Sequence, residues 1–256
     1  MAASNTTVLT TSWDDGHALD LRVAELLCRY GFKGTFYVPV DYPLIPRMSR
    51  QEIVELRRMG MEIGSHTQTH PRIHRLTAEM ALGELRESKA YLEDLLGEEI
   101  GAFCYPEGKF TAQQLPLIEQ AGYKLARTTV SFRTALDFDP HLMPVGFQLW
   151  QHSRHTLLRH ALMQGNFRGA ADWIRLWRAE HDVERLADAM LSYILGSGGI
   201  LHIWGHSWEL EEGGLWRQFE DTLKRAADCG TLTALTNSQV LELSSHMWPE
   251  KKSVYA

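Results

Sequence analysis

Polar residues of catalytic type gather where the apolar runs of this chain end. Asp14, Asp15 and His17 follow the run Val8 to Trp13, and His66 and His70 follow Met61 to Ser65. Glu107 and Lys109 follow Gly101 to Pro106, and His206 follows Gly199 to Gly205. One carboxylate and two imidazoles form a hard-to-borderline ligand set that leaves positions open on a divalent ion, zinc by default. Such an ion lowers the pKa of its water to about 7 and polarises a carbonyl, the two needs of amide hydrolysis. A second carboxylate beside the ligand can take the water proton. A histidine suits protonation of the leaving amine near neutral pH. Each piece alone is weak, because twelve histidines in 256 residues make a chance His-x-x-x-His pair common. Adjacent carboxylates are more often a turn or helix cap.

The elements that must position these groups alternate between strand-like and helix-like periodicity, the pattern of an α/β protein. Strands are expected at Val8–Trp13, Gly34–Val40, Met61–Ser65, Gly101–Pro106, Tyr123–Arg127, Pro144–Trp150, Gly199–Gly205 and Thr231–Leu235. A helical stripe of Leu19, Val23, Leu26, Leu27 and Tyr30 stops at Gly31. Ser49 with Glu52 reads as a capping box, and Thr77 starts a long helix to Leu96. Further helices are expected at Thr111–Ala121, Leu215–Asp228 and from Asn237 or Ser238. No Pro/Gly/Ser-rich linker divides the chain, so residues 1–256 read as one domain with an irregular elaboration at about 130–196. Strand-helix units closing on themselves give a (β/α) barrel, whose functional groups sit at the C-terminal strand ends.

Composition narrows the classes. With 44% hydrophobic and 23% charged residues, disorder and fibrous architectures are excluded. A net charge of −6 argues against a nucleic-acid partner. Cys28, Cys104 and Cys229 have neither disulfide nor zinc-site spacing. The chain lacks a basic start with an apolar leader and lacks a membrane-length apolar run, so a cytoplasmic protein is expected, with peripheral membrane access left open.

The pattern resembles the polysaccharide deacetylase family, the nodulation-protein-B homology domain or carbohydrate esterase family four. Ser12-Trp13-Asp14-Asp15-Gly16 is similar to its first motif, T-F-D-D-G, and His66-Thr67-Gln68-Thr69-His70 matches its second, H-[ST]-x-x-H. Gly34-Thr35-Phe36-Tyr37-Val38 and Glu62-Ile63-Gly64-Ser65 also look like the family. The resemblance covers about 8–128 and resumes at about 198–243. It implies a distorted (β/α) barrel of the polysaccharide deacetylase type and a metal held by Asp15, His66 and His70. Asp14 would be the general base acting on metal-bound water, the nucleophile toward an N-acyl amide.

Departures fall in the later motifs. At Phe103-Cys104-Tyr105-Pro106-Glu107-Gly108, Cys104 stands where the family has the arginine that orients the base, and Glu107 where it has an aromatic residue. Arg127 or Lys109 are the candidate replacements. The fourth motif, which carries the partner of the acid, is not recognisable in 130–150. The fifth resembles Gly199-Ile200-Leu201-His202-Ile203-Trp204-Gly205-His206, in which His206 reads as the acid and His202 as a pocket or core residue. Tyr105, Glu107, Arg127, His202, Trp204 and Trp208 are therefore candidate supporting residues, the tryptophans because aromatic faces pack on sugar rings. Glu209, Glu211 and Glu212 read as a solvated loop, and the Trp-, His- and Arg-rich helices of the elaboration as structural or substrate-shaping. The expected function is metal-dependent removal of an N-acyl group, acetyl above all, from an amino sugar, a sugar nucleotide or a lipid-linked glycan. The alternatives are a formamide or cyclic-imide hydrolase on the same barrel, and a non-catalytic glycan-binding or assembly protein.

Overall fold

The run TVLTTSW forms β1 (Thr7–Trp13), buried at every residue as a central strand covered on both faces must be. In the computed structural model, which describes residues 6–247, the first half of the chain continues as α1 (Asp20–Arg29), β2 (Gly34–Val38), α2 (Arg50–Arg58), β3 (Glu62–Ser65), α3 (Ala78–Leu96), β4 (Ala102–Cys104), α4 (Leu115–Gln120) and β5 (Leu125–Arg127). The second half adds β6 (Phe147–Gln148), α5 (Arg154–Met163), α6 (Phe167–Arg175), α7 (Val183–Ser197), β7 (Gly199–Gly205), α8 (Ser207–Glu212), α9 (Trp216–Asp228), β8 (Thr233–Ala234) and α10 (Asn237–Met247).

The strands pair in parallel in the order β5-β4-β3-β2-β1-β7-β6. One edge of β1 is shared, β8 taking Val8 and Leu9 and β2 taking Thr11 to Trp13, while β7 covers the other edge in full. A parallel bridge from Arg127 to Met143, just before β6, brings the two ends of the order together. The sheet is thus curled into the distorted α/β barrel, and the C-terminal ends of β1, β3, β4, β5 and β7 face one another. Leu9, Trp13, Leu27, Phe36, Leu56, Ile63, Leu85 and Phe103 belong to the buried apolar core.

Local signals hold where they rest on side-chain hydrogen bonds. Ser49 Oγ accepts from Glu52 N–H and the Glu52 carboxylate accepts from Ser49 N–H, closing the capping box of α2. The helix expected at Thr111–Ala121 is shorter, because the Gln114 side chain accepts from Thr111 N–H and Oγ–H and holds a turn there. Helix α4 begins only beside Pro116. Several expected strands are also shorter, β6 and β8 being two residues each. Among the described residues no helix is long and apolar enough to cross a membrane.

Gly64, just before the first site histidine, is required by packing. A Cβ there would lie 2.5 Å from the Tyr37 ring and 3.1 Å from the Ala102 carbonyl oxygen. Gly64→Ala is expected to lower stability by about 1–3 kcal/mol, read as an earlier urea midpoint. An unchanged midpoint would mean that Tyr37 can shift without cost.

Candidate active site

Each site residue leaves the barrel at a strand end. Asp14 and Asp15 follow β1, His66 follows β3, and His206 follows β7 as the residue before α8. The turns that aim them are unusual, since Asp15, Thr67, His70 and Glu107 are all in the left-handed region with φ between 55° and 76°. Such conformations cost free energy that the surrounding packing must offset, and they concentrate at functional sites.

The carboxylate and two imidazoles expected as ligands converge. His66 Nε2 and His70 Nε2 are 3.2 Å apart, and Asp15 Oδ1 is 3.3 Å from His70 Nε2 and 3.6 Å from His66 Nε2. Two nitrogens bound tetrahedrally at zinc distances would be about 3.3 Å apart, so this spacing fits a divalent ion. The protonation states fit as well. His66 Nδ1–H donates to the Cys104 carbonyl at 2.8 Å, which leaves the Nε2 lone pair turned toward Asp15 and His70. Burial and the neighbouring His70 push the His66 pKa down to about 4, so the ring is neutral at pH 7. Burial opposes ionisation of Asp15, but the His70 hydrogen bond and the charges of His206, His66 and His70 hold it well below the usual carboxylate range. The His70 ring stacks on Tyr42 with centroids 4.4 Å apart.

Asp14 is buried beside this cluster, and its Oδ1 is paired with the fully buried Arg127 guanidinium. Burial alone would raise its pKa, yet Arg127, His66 and His206 bring it below the ordinary value, so Asp14 is a carboxylate at neutral pH. Arg127 is itself held near the rings of Tyr37 and Trp204, 5.2 and 5.1 Å from their centroids. From the end of β5 it puts a buried guanidinium beside Asp14, whereas the resemblance expects an arginine at position 104, where this chain has Cys104. Lys109 does not take this role, because it pairs with Glu107 at 2.9 Å. The Cys104 thiol lies 3.7 Å from Asp14 Oδ2.

On the other side stands His206, whose Nε2 is 3.7 Å from Asp15 Oδ2. Its Nδ1–H donates to Glu209 Oε2 at 2.8 Å. This corrects the reading of Glu209 as part of a solvated loop: it is buried in the first turn of α8, three residues from His206. Gln148 of β6 donates to both Glu209 oxygens at 2.9 and 3.0 Å and accepts from His152 Nε2–H at 3.0 Å. Ser207 donates to buried Asp20 at 2.5 Å and ties α8 to α1. Burial lowers the affinity of His206 for a proton, but the Glu209 hydrogen bond and charge, then Asp15 and Asp14, push its pKa up to about 9.

The remaining candidates divide. His202 is core: its Nδ1–H donates to the Pro144 carbonyl, Nε2 accepts from Ser12, and burial with the Arg127 charge pushes its pKa to about 3. The Tyr105 side chain is not at the site either, since its hydroxyl donates to the His141 carbonyl and its ring packs on Phe103 and Phe110. Glu107 pairs with Arg72 and Lys109 at the rim. Trp208 stacks on the His206 ring, centroids 5.2 Å apart, and Trp204 meets it edge-on. Asp14, Asp15, His66, His70, Glu107, Trp204 and His206 line one cleft of about 910 Å³, whose walls include Tyr42, Phe110, Phe132 and Phe147.

Residues 2–126 match the family model described as polysaccharide deacetylase. That stretch, just under half of the chain, is similar to the polysaccharide deacetylase family. A curated relative assigned to the polysaccharide deacetylases, YxkH of Bacillus subtilis (strain 168), is 27% identical over 120 residues, 46% of this chain and 43% of the relative. The match therefore spans less than half of that protein. Among solved structures, a Mycobacterium smegmatis protein also assigned to the polysaccharide deacetylases superposes with a TM-score of 0.68 at 14% identity, covering 96% of this chain and 93% of the other. A family 4 acetyl xylan esterase from Clostridium thermocellum, solved in complex with a cobalt ion, gives 0.55 at 16% identity over 92% and 91%. Peptidoglycan deacetylase PdaC from Bacillus subtilis gives 0.55 at 17% over 96% and 95%. At these identities the likeness is one of fold, and it extends the family's barrel over nearly the whole chain.

Proposed function

We propose that this chain hydrolyses the N-acyl amide, most simply N-acetyl, of an amino sugar in a glycan or glycan precursor. One observation carries the reading. A carboxylate kept ionised by buried Arg127 and an imidazole kept protonated by buried Glu209 flank the same three-ligand cluster in one cleft. Both partners stand outside the motif positions the resemblance assigns them, and the chemistry needs both. That replacement supports an enzyme over a binding protein built on the same barrel.

Asp15, His66 and His70 would hold the divalent ion, for which zinc and cobalt both suit the donor set. When bound, that ion supplies Lewis acidity, making a water molecule more acidic and the acyl carbonyl more electrophilic. Asp14 accepts the proton of the attacking water as its oxygen adds to the acyl carbon. His206, held by Glu209 with Nε2–H toward the cleft, gives a proton to the amide nitrogen as the C–N bond breaks. The products are a carboxylate and a free amine. Tyr42, Phe110 and Trp204 offer aromatic faces for the sugar, which burial in the cleft shields from water.

Acetate release from N-acetylglucosamine oligosaccharides and from nucleotide- and lipid-linked N-acetylamino sugars, with zinc or cobalt supplied, tests this reading. Acetate and free amine in equal amounts are expected from at least one of them. Formate release or ring opening of a cyclic imide without acetate release would move the substrate elsewhere. Glycan binding with no product would contradict the enzyme.

A further inference from the structure

One apolar surface of the chain is uncovered, and it adjoins the cleft mouth. Of the eight large apolar side chains exposed among the described residues, Leu162, Met163, Phe167, Ile174 and Leu176 all lie at the end of α5 and along or just beyond α6. Met163 is 76% exposed, Phe167 69% and Ile174 53%. Leu44, in the loop after β2, is 79% exposed. Leu44 and Met163 both line the cleft that holds Asp14 and His206, so the apolar patch reaches the rim of the site. Along α6, Phe167, Ala171 and Ile174 follow at helical spacing and share a face. Gly169, Ala170 and Trp173 are the buried ones. The helix thus buries Trp173 with Gly169 and Ala170 but turns Phe167 and Ile174 outward, an exposed apolar face of the kind that marks an interaction site.

Charge selects the partner. Residues 152–178 contain five arginines, Arg154, Arg159, Arg168, Arg175 and Arg178, and a single acid, Asp172, in a chain whose net charge is −6. Arg159, Arg175 and Arg178 are exposed and have no ion-pair partner among the described residues. Apolar side chains flanked by unpaired arginines are the composition of helices that lie in an anionic membrane interface, with the apolar groups at the acyl boundary and the guanidiniums on lipid phosphates. A second copy of the same surface would set arginine against arginine.

We propose that the end of α5 and the outward face of α6 dock on an anionic lipid surface and set the cleft mouth at headgroup level. What reaches the cleft there rests on the deacylase reading: an amino sugar joined to a lipid carrier that stays in the bilayer.

Flotation of the full chain with vesicles of phosphatidylcholine, with and without phosphatidylglycerol, tests the docking directly. Binding is expected only with phosphatidylglycerol, falling about tenfold or more for a Phe167→Ser/Ile174→Ser double variant whose thermal midpoint is unchanged. Arg175→Ser/Arg178→Ser is expected to weaken binding and its dependence on salt. No binding to phosphatidylglycerol vesicles, or binding as tight as wild type by either variant, would overturn the proposal. So would a concentration-dependent dimer that the apolar variant abolishes and vesicles do not displace. Acetate release from a water-soluble substrate separates the two readings. Loss of docking with that activity present sinks only the docking, whereas docking without acetate release from any substrate sinks only the chemistry.

Discussion

Replacing Asp14 by Asn is expected to lower kcat about 10³-fold with divalent-ion content retained. The substitution keeps the side-chain shape but removes the site for the water proton, while Asp15, His66 and His70 are untouched. It also removes the counter-charge of Arg127, which is fully buried and has its Nε and Nη1 unpartnered by other described groups. Losing one member of a buried ion pair costs about 3–5 kcal/mol, tempered here because the Asn carbonyl still accepts from the guanidinium. The variant should therefore unfold earlier on heating yet remain folded at assay temperature. Steady-state rates, thermal midpoint and metal content taken together distinguish the outcomes. A folded, metal-loaded Asp14→Asn protein with near-normal kcat would remove Asp14 from the mechanism.

Glu209→Gln should have the next largest effect, about 10- to 100-fold on kcat, with a change in the pH profile that a merely structural residue would not cause. His206 donates a proton, so it works while protonated and activity falls as pH rises through its pKa. The Glu209 carboxylate does much to hold that pKa up to about 9. With Gln in its place the alkaline limb should move to lower pH, whereas a general weakening of the fold would depress the whole profile without moving it. The same shift appears in stability. Because the folded pKa of His206 lies above its unfolded value, its contribution is complete below about pH 6.5. It is lost as pH rises through the folded value, and the variant should lack this pH-dependent part in urea denaturation. A profile for Glu209→Gln that is lower but unshifted would mean that Glu209 orients the ring without setting its proton affinity.

How far the site could be read in advance depended on how local each role is. Asp14, Asp15, His66 and His70 sit on two short turns after buried strands, and the strand-end rule of barrels places such groups together whatever their sequence separation. Arg127 was legible only as a candidate, because it reaches Asp14 across 113 residues and no spacing links them. Glu209 was missed for a different reason. Two more glutamates nearby gave it the look of a solvated run, but its spacing of three from His206 places both on one side of a helix turn. Tyr105, the extended residue just after β4, packs its ring on Phe103 and Phe110 rather than turning it toward Asp14 as neighbouring Cys104 does, a side the motif position alone does not reveal. The barrel itself followed from alternating periodicities, whereas strands of two or three residues such as β6 and β8 are too short to show one. The shortened α4 turned on a Gln114 side chain competing for Thr111, a contact that composition and apolar period do not reveal.

The central claim is that Asp15, His66 and His70 hold a divalent ion for the reaction in this cleft. Elemental mass spectrometry on chain purified without chelator or histidine tag, then exposed to zinc and desalted, measures it without knowledge of the substrate. The account predicts close to one ion per chain for the wild type and little for His66→Ala. An ion-free wild type, or equal occupancy in the variant, would contradict it.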